Sequence, residues 1–375
     1  MNANIVGIVN FHNAPEVNPL TGSRPLGSTS FLGRYALCDF ALSNFCNAGI
    51  SNVGLLIKDH PRSILKHLGT MDAWTTNTKI GKQTILYNEP AHLKPEFNTD
   101  VQNIKENDWI LYDTTATQVV FMPSNLVISI DIRPILAEHI AQKRKITVVC
   151  KEVDDLSKEF LGSTVVELNE DGSVRGVCLN DGSKKGKGIV SLGIQIINRP
   201  ALAEMLQNYL PLFPKGTLSD LLSEISKGPA SSYVRYASMF HGYARSIDSF
   251  EHYMEYSFEL LNPKVADHLF KEDWPIYTLT HDTPPALYGE SSSVRDSYIA
   301  NGAIVEGEVT HSIIARNVKI GKGAVVRDSI VFSDAKIGEG AVVENALIDK
   351  FAIVTRKKKA SGKGKTLYVE QGAIL

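Results

Sequence analysis

Ile5-Val-Gly-Ile-Val9 is a short, unbroken apolar run, the pattern of a strand covered on both faces. From Cys38 to Asn47 the apolar positions shift to helical spacing, and Ala48-Gly49 closes that helix, glycine being favoured just past a helix end. Val53–Ile57 is apolar throughout again, so helix and strand form an α/β crossover of the nucleotide-binding type. No period stands out between residues 70 and 118. Beyond them the pattern predicts a strand from Val119, a helix over Pro134–Lys143 and a strand over Lys145–Cys150. Thr164–Val177 alternates on both sides of Asn169-Glu-Asp-Gly172, which predicts a hairpin, and Ser191–Ile197 reads as a further strand. Phe250–Leu261 predicts a helix with an apolar stripe at Phe250, Tyr253, Met254, Phe258 and Leu261, and Asp248-Ser-Phe-Glu251 has capping-box spacing at its start.

Four prolines (Pro263, Pro275, Pro284 and Pro285) mark residues 262–285 as a linker between a first domain, 1–261, and a second, 286–375. In the second domain Ser312–Asp328 aligns without gaps on Ser329–Asn345, a period of 17 residues. Ile314, Val331 and Ile348 are in phase, as are Ile320, Ile337 and Val354. Aliphatic residues thus recur about every six positions, the hexapeptide pattern of a parallel β-helix, whose coils bury their aliphatics only by stacking. The spacing predicts three to five coils, interrupted by the basic run Arg356–Lys365 and closed by a strand over Thr366–Leu375.

Composition narrows the function classes. A chain of 375 residues is long enough for two cores, and 43 % apolar with 21 % charged residues is ordinary for a globular protein. A formal net charge of −2 gives no electrostatic footprint for nucleic acid. No apolar run is long enough for a membrane span, and Met1–Val9 lacks the features of a signal peptide. Cys38, Cys46, Cys150 and Cys178 have neither metal-ligand spacing nor disulfide density, which predicts buried free thiols in a cytoplasmic protein.

The segment Gly33–Ile57 resembles Y-R-x-I-D-F-x-L-S-N-x-x-N-S-G-I of the bacterial glucose-1-phosphate adenylyltransferases, the ADP-glucose pyrophosphorylases of glycogen synthesis. The resemblance continues where Val119–Ile132 matches a strand followed by G-D-H-x-Y-x-M-D-Y, with Asp131 on the second aspartate and His139 on a histidine of the next helix. Ser191–Ile197 resembles S-M-G-x-Y-x-F, and Phe240–Glu251 resembles F-x-G-Y-W-x-D-V-G-T-I. It implies a Rossmann-like α/β nucleotidyltransferase domain of GT-A type followed by a left-handed parallel β-helix.

The chemical positions of that family depart from its pattern. Its loop G-G-x-G-T-R-L, which lets backbone approach a triphosphate, falls on Phe11–Val17, where every glycine is replaced and the arginine is Glu16. Opposite unit charges about 4 Å apart attract by about 4 kcal/mol at an effective dielectric of 20, so the reversed sign swings the interaction by roughly twice that. The lysine of R-x-K-P falls on Leu26, and the adenine-contacting G-T-A-D on Thr99–Gln102 without its residues. The two aspartates that hold Mg²⁺ fall on Asn125 and Ser246, and Mg²⁺ prefers anionic oxygen. The sugar-phosphate lysine of E-K-P falls on Asn180, with Lys184, Lys185 and Lys187 nearby, read as a solvated loop. Lone His12 reads as a surface loop residue.

Removing a single electrostatic stabiliser commonly lowers a rate by about 10²–10³, and here several go together. The resemblance therefore implies a regulatory, GlgD-type subunit without catalytic residues, whose Mg²⁺ sits in its partner. That partner is a catalytic subunit of the same family, joined in a hetero-oligomer such as a heterotetramer, with a homo-oligomer left open. Family effector contacts fall on Ser23, Arg24, Ser30 and Ala36, and the basic run offers Lys357, Lys358 and Lys359. Two alternatives stand beside this: an active nucleotidyltransferase with displaced ligands among Asp100, Asp131 and Asp248, and a hexapeptide acyltransferase using His311.

Overall fold

The computed structural model describes residues 5–75, 82–92, 94–112, 115–227 and 231–375. The chain forms two compact units: Met1–Thr29, Leu37–Ser249 and Leu269–Tyr277 in one, and Ser30–Ala36, Phe250–His268 and Thr278–Leu375 in the other.

At the centre of the first unit lies β1 (Ile5–Asn10), whose Val6, Ile8 and Val9 are buried. Helix α1 (Cys38–Asn47) leads to β2 (Asn52–Ile57), which runs parallel to β1 and carries β3 (Lys82–Tyr87) on its other side. Helix α2 (Asp100–Glu106) precedes β4 (Gln118–Pro123), parallel to β1 on the opposite side. The parallel order β3-β2-β1-β4 reverses direction of growth between β1 and β4, and the crevice beyond the strand ends at such a reversal is where open α/β sheets bind ligands. Gly49 ends α1 at φ 75°, a conformation open to glycine. The Asn44 amide explains why this helix is specified so closely: it donates to the Ile128 carbonyl at 3.0 Å and accepts from the Ile130 amide at 2.9 Å and the Trp274 indole at 2.8 Å.

After helix α3 (Arg133–Ala141) the sheet continues antiparallel. Strand β5 (Ile146–Val153) and the hairpin of β6 (Thr164–Leu168) and β7 (Val174–Leu179) flank β8 (Gly188–Asn198), which also pairs with β4, while β9 (Arg235–Met239) runs beside β5. The register of β8 against β5 slips between Ser191 and Gln195, with Gly193 at φ 71°, a bulge that turns this stretch toward the strand-end crevice. Cys38, Cys46 and Cys150 are buried, but Cys178 is exposed, contrary to the reading of four buried thiols, because β7 is the edge strand of the sheet.

The second unit holds three parallel sheets of five strands each, the faces of a left-handed parallel β-helix. Val305, Ile320, Ile337 and Val354 stack inward along one face and Val309, Val326, Val343 and Ala360 along the next. A buried serine ladder links the coils: Ser312 Oγ accepts from the Ser329 amide at 3.2 Å, and Ser329 Oγ from the Ala346 amide at 3.1 Å. The basic run interrupts the β-helix only in its second half, where the pairing offset grows from 17 residues (Val342 with Lys359) to 21 (Ala346 with Leu367). Lys359–Ser361 is a strand paired with Val342–Glu344, and Ala360 takes the inward place that its lysine neighbours concealed. Pro263–Leu269, inside the proline-rich stretch, is a helix with proline at its first position, where proline is well tolerated. Helix α4 (Leu218–Ile225) in the first unit and α5 (Phe250–Glu259) in the second complete the elements used below. On α5 Tyr253 and Met254 of the predicted stripe are buried and Tyr256 joins them, while Phe250, Phe258 and, just past its end, Leu261 are half-buried, with Phe258 stacked on His311.

Candidate functional site

A cavity of about 480 Å³ opens at the strand-end crevice, lined from the loop after β1, the end of β4, the bulged stretch of β8, the β5–β6 loop and the start of α4. The two positions expected to carry metal carboxylates meet at its wall. The short strand Ala244–Ser246 pairs with Leu126–Ile128, which sets Ser246 opposite Leu126 and beside Asn125. Asn125 donates from Nδ2 to Ser246 Oγ at 3.2 Å and to the Ile247 carbonyl at 3.2 Å, and its backbone carbonyl accepts the Ile247 amide at 3.0 Å. The Ile247 carbonyl can only accept, so the amide must turn its NH₂ toward Ser246. Both side chains are buried. A donor and a hydroxyl in place of two carboxylates do not fit Mg²⁺, which takes anionic oxygen.

The loop after β1 is packed rather than open. The Phe11 ring fills the space over Gly27, where an added Cβ would lie 2.5 Å from it and 2.7 Å from Ser124. His12, read from the sequence as a surface residue, is buried. Its Nε2 lies 3.1 Å from Asn103 Nδ2, an amide donor, and desolvation lowers its pKa to about 4, so it stands as a neutral acceptor. Glu16 is exposed on this loop and Leu26 is buried in a short 3-10 turn.

Asp100 is fully buried at the start of α2 and joins three segments. Oδ2 accepts from Asn10 at 2.8 Å and Asn13 at 2.7 Å, while Oδ1 accepts the amides of Val101 at 2.8 Å and Leu218 at 2.9 Å. Burial pushes its carboxyl up and the four donors oppose that shift. Asp131 is held below the usual carboxylate range by the Arg133 guanidinium, paired at 2.7 and 2.9 Å. Asp248 accepts the Leu161 amide at 2.9 Å. These three carboxylates are engaged in separate networks. Among the described residues, the group of three ligand-type side chains close enough to share a cation is Cys38, Asp39 and His67.

The other sequence positions are spread apart. Asn180 is buried and staples the β5–β6 loop, donating to the Glu159 carbonyl at 2.9 Å and the Phe160 carbonyl at 3.0 Å. Lys184, Lys185 and Lys187 are exposed and absent from the cavity lining, and Lys187 faces Glu152 at 3.4 Å. Arg24 is buried in the first unit. Lys357, Lys358 and Lys359 are exposed on the β-helix, with Lys359 paired to Glu344 at 3.1 Å. His311 occupies a β-helix corner at φ 47°, in the column of Asp296, Asp328 and Asn345, and its Nδ1 pairs with Asp328 at 2.7 Å. Sequence reasoning missed Gln195 on β8 and the Thr217–Asp220 capping box at the cavity rim, although Thr217-Leu-Ser-Asp220 carries the spacing that announces the latter.

Comparison with known proteins agrees with the fold. The family model for nucleotidyl transferases matches residues 16–212, and that for the GlmU-like C-terminal hexapeptide matches residues 284–362. The chain is 30 % identical over 310 residues to the glycogen biosynthesis protein GlgD of Bacillus subtilis, covering 82 % of this chain and 78 % of that one. It is 29 % identical over 308 residues to the glucose-1-phosphate adenylyltransferase of Thermosipho africanus, covering 80 % and 72 %. The corresponding enzyme of Bacillus subtilis is 29 % identical over 316 residues, covering 82 % and 80 %. The chain belongs to the nucleotidyltransferase family, in the branch that holds GlgD and the glucose-1-phosphate adenylyltransferases.

Proposed function

We propose that this chain is a non-catalytic regulatory subunit of a glucose-1-phosphate adenylyltransferase in cytoplasmic glycogen biosynthesis. It assembles with a catalytic paralogue that makes ADP-glucose from ATP and glucose 1-phosphate, and it modulates that paralogue; the Mg²⁺ of the reaction belongs to the paralogue. The observation that carries this reading is the Asn125–Ser246 hydrogen bond at the positions of the family's metal carboxylates. The packed Phe11–His12 loop supports it, since a triphosphate needs backbone approach there. The relationship to GlgD and to glucose-1-phosphate adenylyltransferases supports the pathway.

Co-expression with the catalytic paralogue from the same source, with an affinity tag on one chain, tests the assembly. The two chains should co-elute at fixed stoichiometry in size exclusion. Separate elution of both chains at micromolar concentration would contradict it.

A further inference from the structure

We propose that the strand-end cavity binds an uncharged, polyhydroxylated ligand, an unphosphorylated sugar. The proposal takes only the cavity's lining and so stands apart from the subunit reading. A volume of about 480 Å³ lies within the range of small-ligand sites and suits one or two pyranose rings. Among the described residues the lining contains no lysine, arginine or histidine, and it includes the carboxylates Asp100 and Asp220. A phosphate or nucleotide would enter with its charge unpaired and facing like charge, which desolvation makes strongly unfavourable.

A neutral sugar meets the same wall favourably. Its hydroxyls both donate and accept, as do the amide and hydroxyl groups of Asn13, Ser163, Ser219 and Gln195 around the cavity. Leu161 and Leu179, half-buried and exposed at the cavity, supply apolar surface for the C–H face of a pyranose. The independent pointer is Gln195: it lies on the bulged stretch of β8, is nine-tenths buried in the lining, and its Oε1 has no hydrogen-bond partner. Buried amides are otherwise satisfied as a rule, and a hydroxyl satisfies this one in either amide orientation.

Titration calorimetry on the full chain with glucose, maltotriose, glucose 1-phosphate and ATP tests this. Glucose or maltotriose should bind about tenfold or more tighter than either phosphate compound, and a preference between the two sugars tells a free hexose from a glucan end. Gln195→Leu and Ser219→Trp, the second filling the rim, should each weaken the sugar by about tenfold. Tighter binding of a phosphate compound, no sugar binding, or sugar binding unchanged in Ser219→Trp would overturn the proposal. None of these outcomes bears on whether the chain assembles with a catalytic paralogue.

Discussion

Asn125 Nδ2 lies 3.2 Å from Ser246 Oγ, and this neutral pair closes on itself without help from a cation. The residues meet because Ser246 pairs with Leu126, the neighbour of Asn125, so the backbone sets two neutral side chains together where the sequence resemblance implies two carboxylate positions.

Introducing both carboxylates would test that placement. In the double variant Asn125→Asp, Ser246→Asp, two buried charges face each other, and an uncompensated buried charge costs about 3–5 kcal/mol. The expected result is a lower melting temperature that added Mn²⁺ raises again, with ADP-glucose synthesis still absent because Glu16 and Leu26 supply no phosphate-binding charge. Thermal unfolding with and without Mn²⁺ measures this, and wild-type stability in metal-free buffer would contradict it.

Two buried histidines make the first unit sensitive to acid. Desolvation lowers His12 and His139 to about 4, below their ordinary value near 6.5. The unfolded chain therefore binds more protons between those values, and stability present at pH 7 is lost as pH falls from 6.5 through about 4. For His12 the loss is on the order of 2–3 kcal/mol. Urea unfolding at pH 7, 5.5 and 4.5 should show a falling midpoint, and His139→Gln, which removes one of the two groups, should flatten the fall.

Much of the fold was legible because burial imposes a period on the residues. Cys38–Asn47 is helical to the residue, and the aliphatic columns of the β-helix follow their 17-residue repeat. What escaped was set by partners distant in sequence. His12 is buried through Asn103, and Asp100 is held by Asn10, Asn13 and Leu218, contacts without any local signature. Gln195 drew no attention because a bulge, which periodicity does not announce, sets it at the cavity. Ala360 was hidden by flanking lysines, since a small inward residue carries little hydrophobic signal.

The serine ladder of the β-helix makes a simpler prediction. Ser329, itself buried, accepts the Ala346 amide at 3.1 Å in buried surroundings and donates from Oγ to the Arg327 carbonyl at 2.6 Å. Ser329→Ala leaves an amide unpaired and should destabilise the second unit by about 1–3 kcal/mol. Differential scanning calorimetry should show its transition at lower temperature, while Ser329→Thr, which keeps the oxygen, recovers part of the loss.

ADP-glucose synthesis by this chain alone, by the catalytic paralogue alone and by the two co-purified is the most direct measurement. The structure's neutral Asn125–Ser246 pair predicts no Mg²⁺-dependent activity from the single chain and raised or re-regulated activity from the pair. Robust Mg²⁺-dependent synthesis by this chain alone would contradict the account.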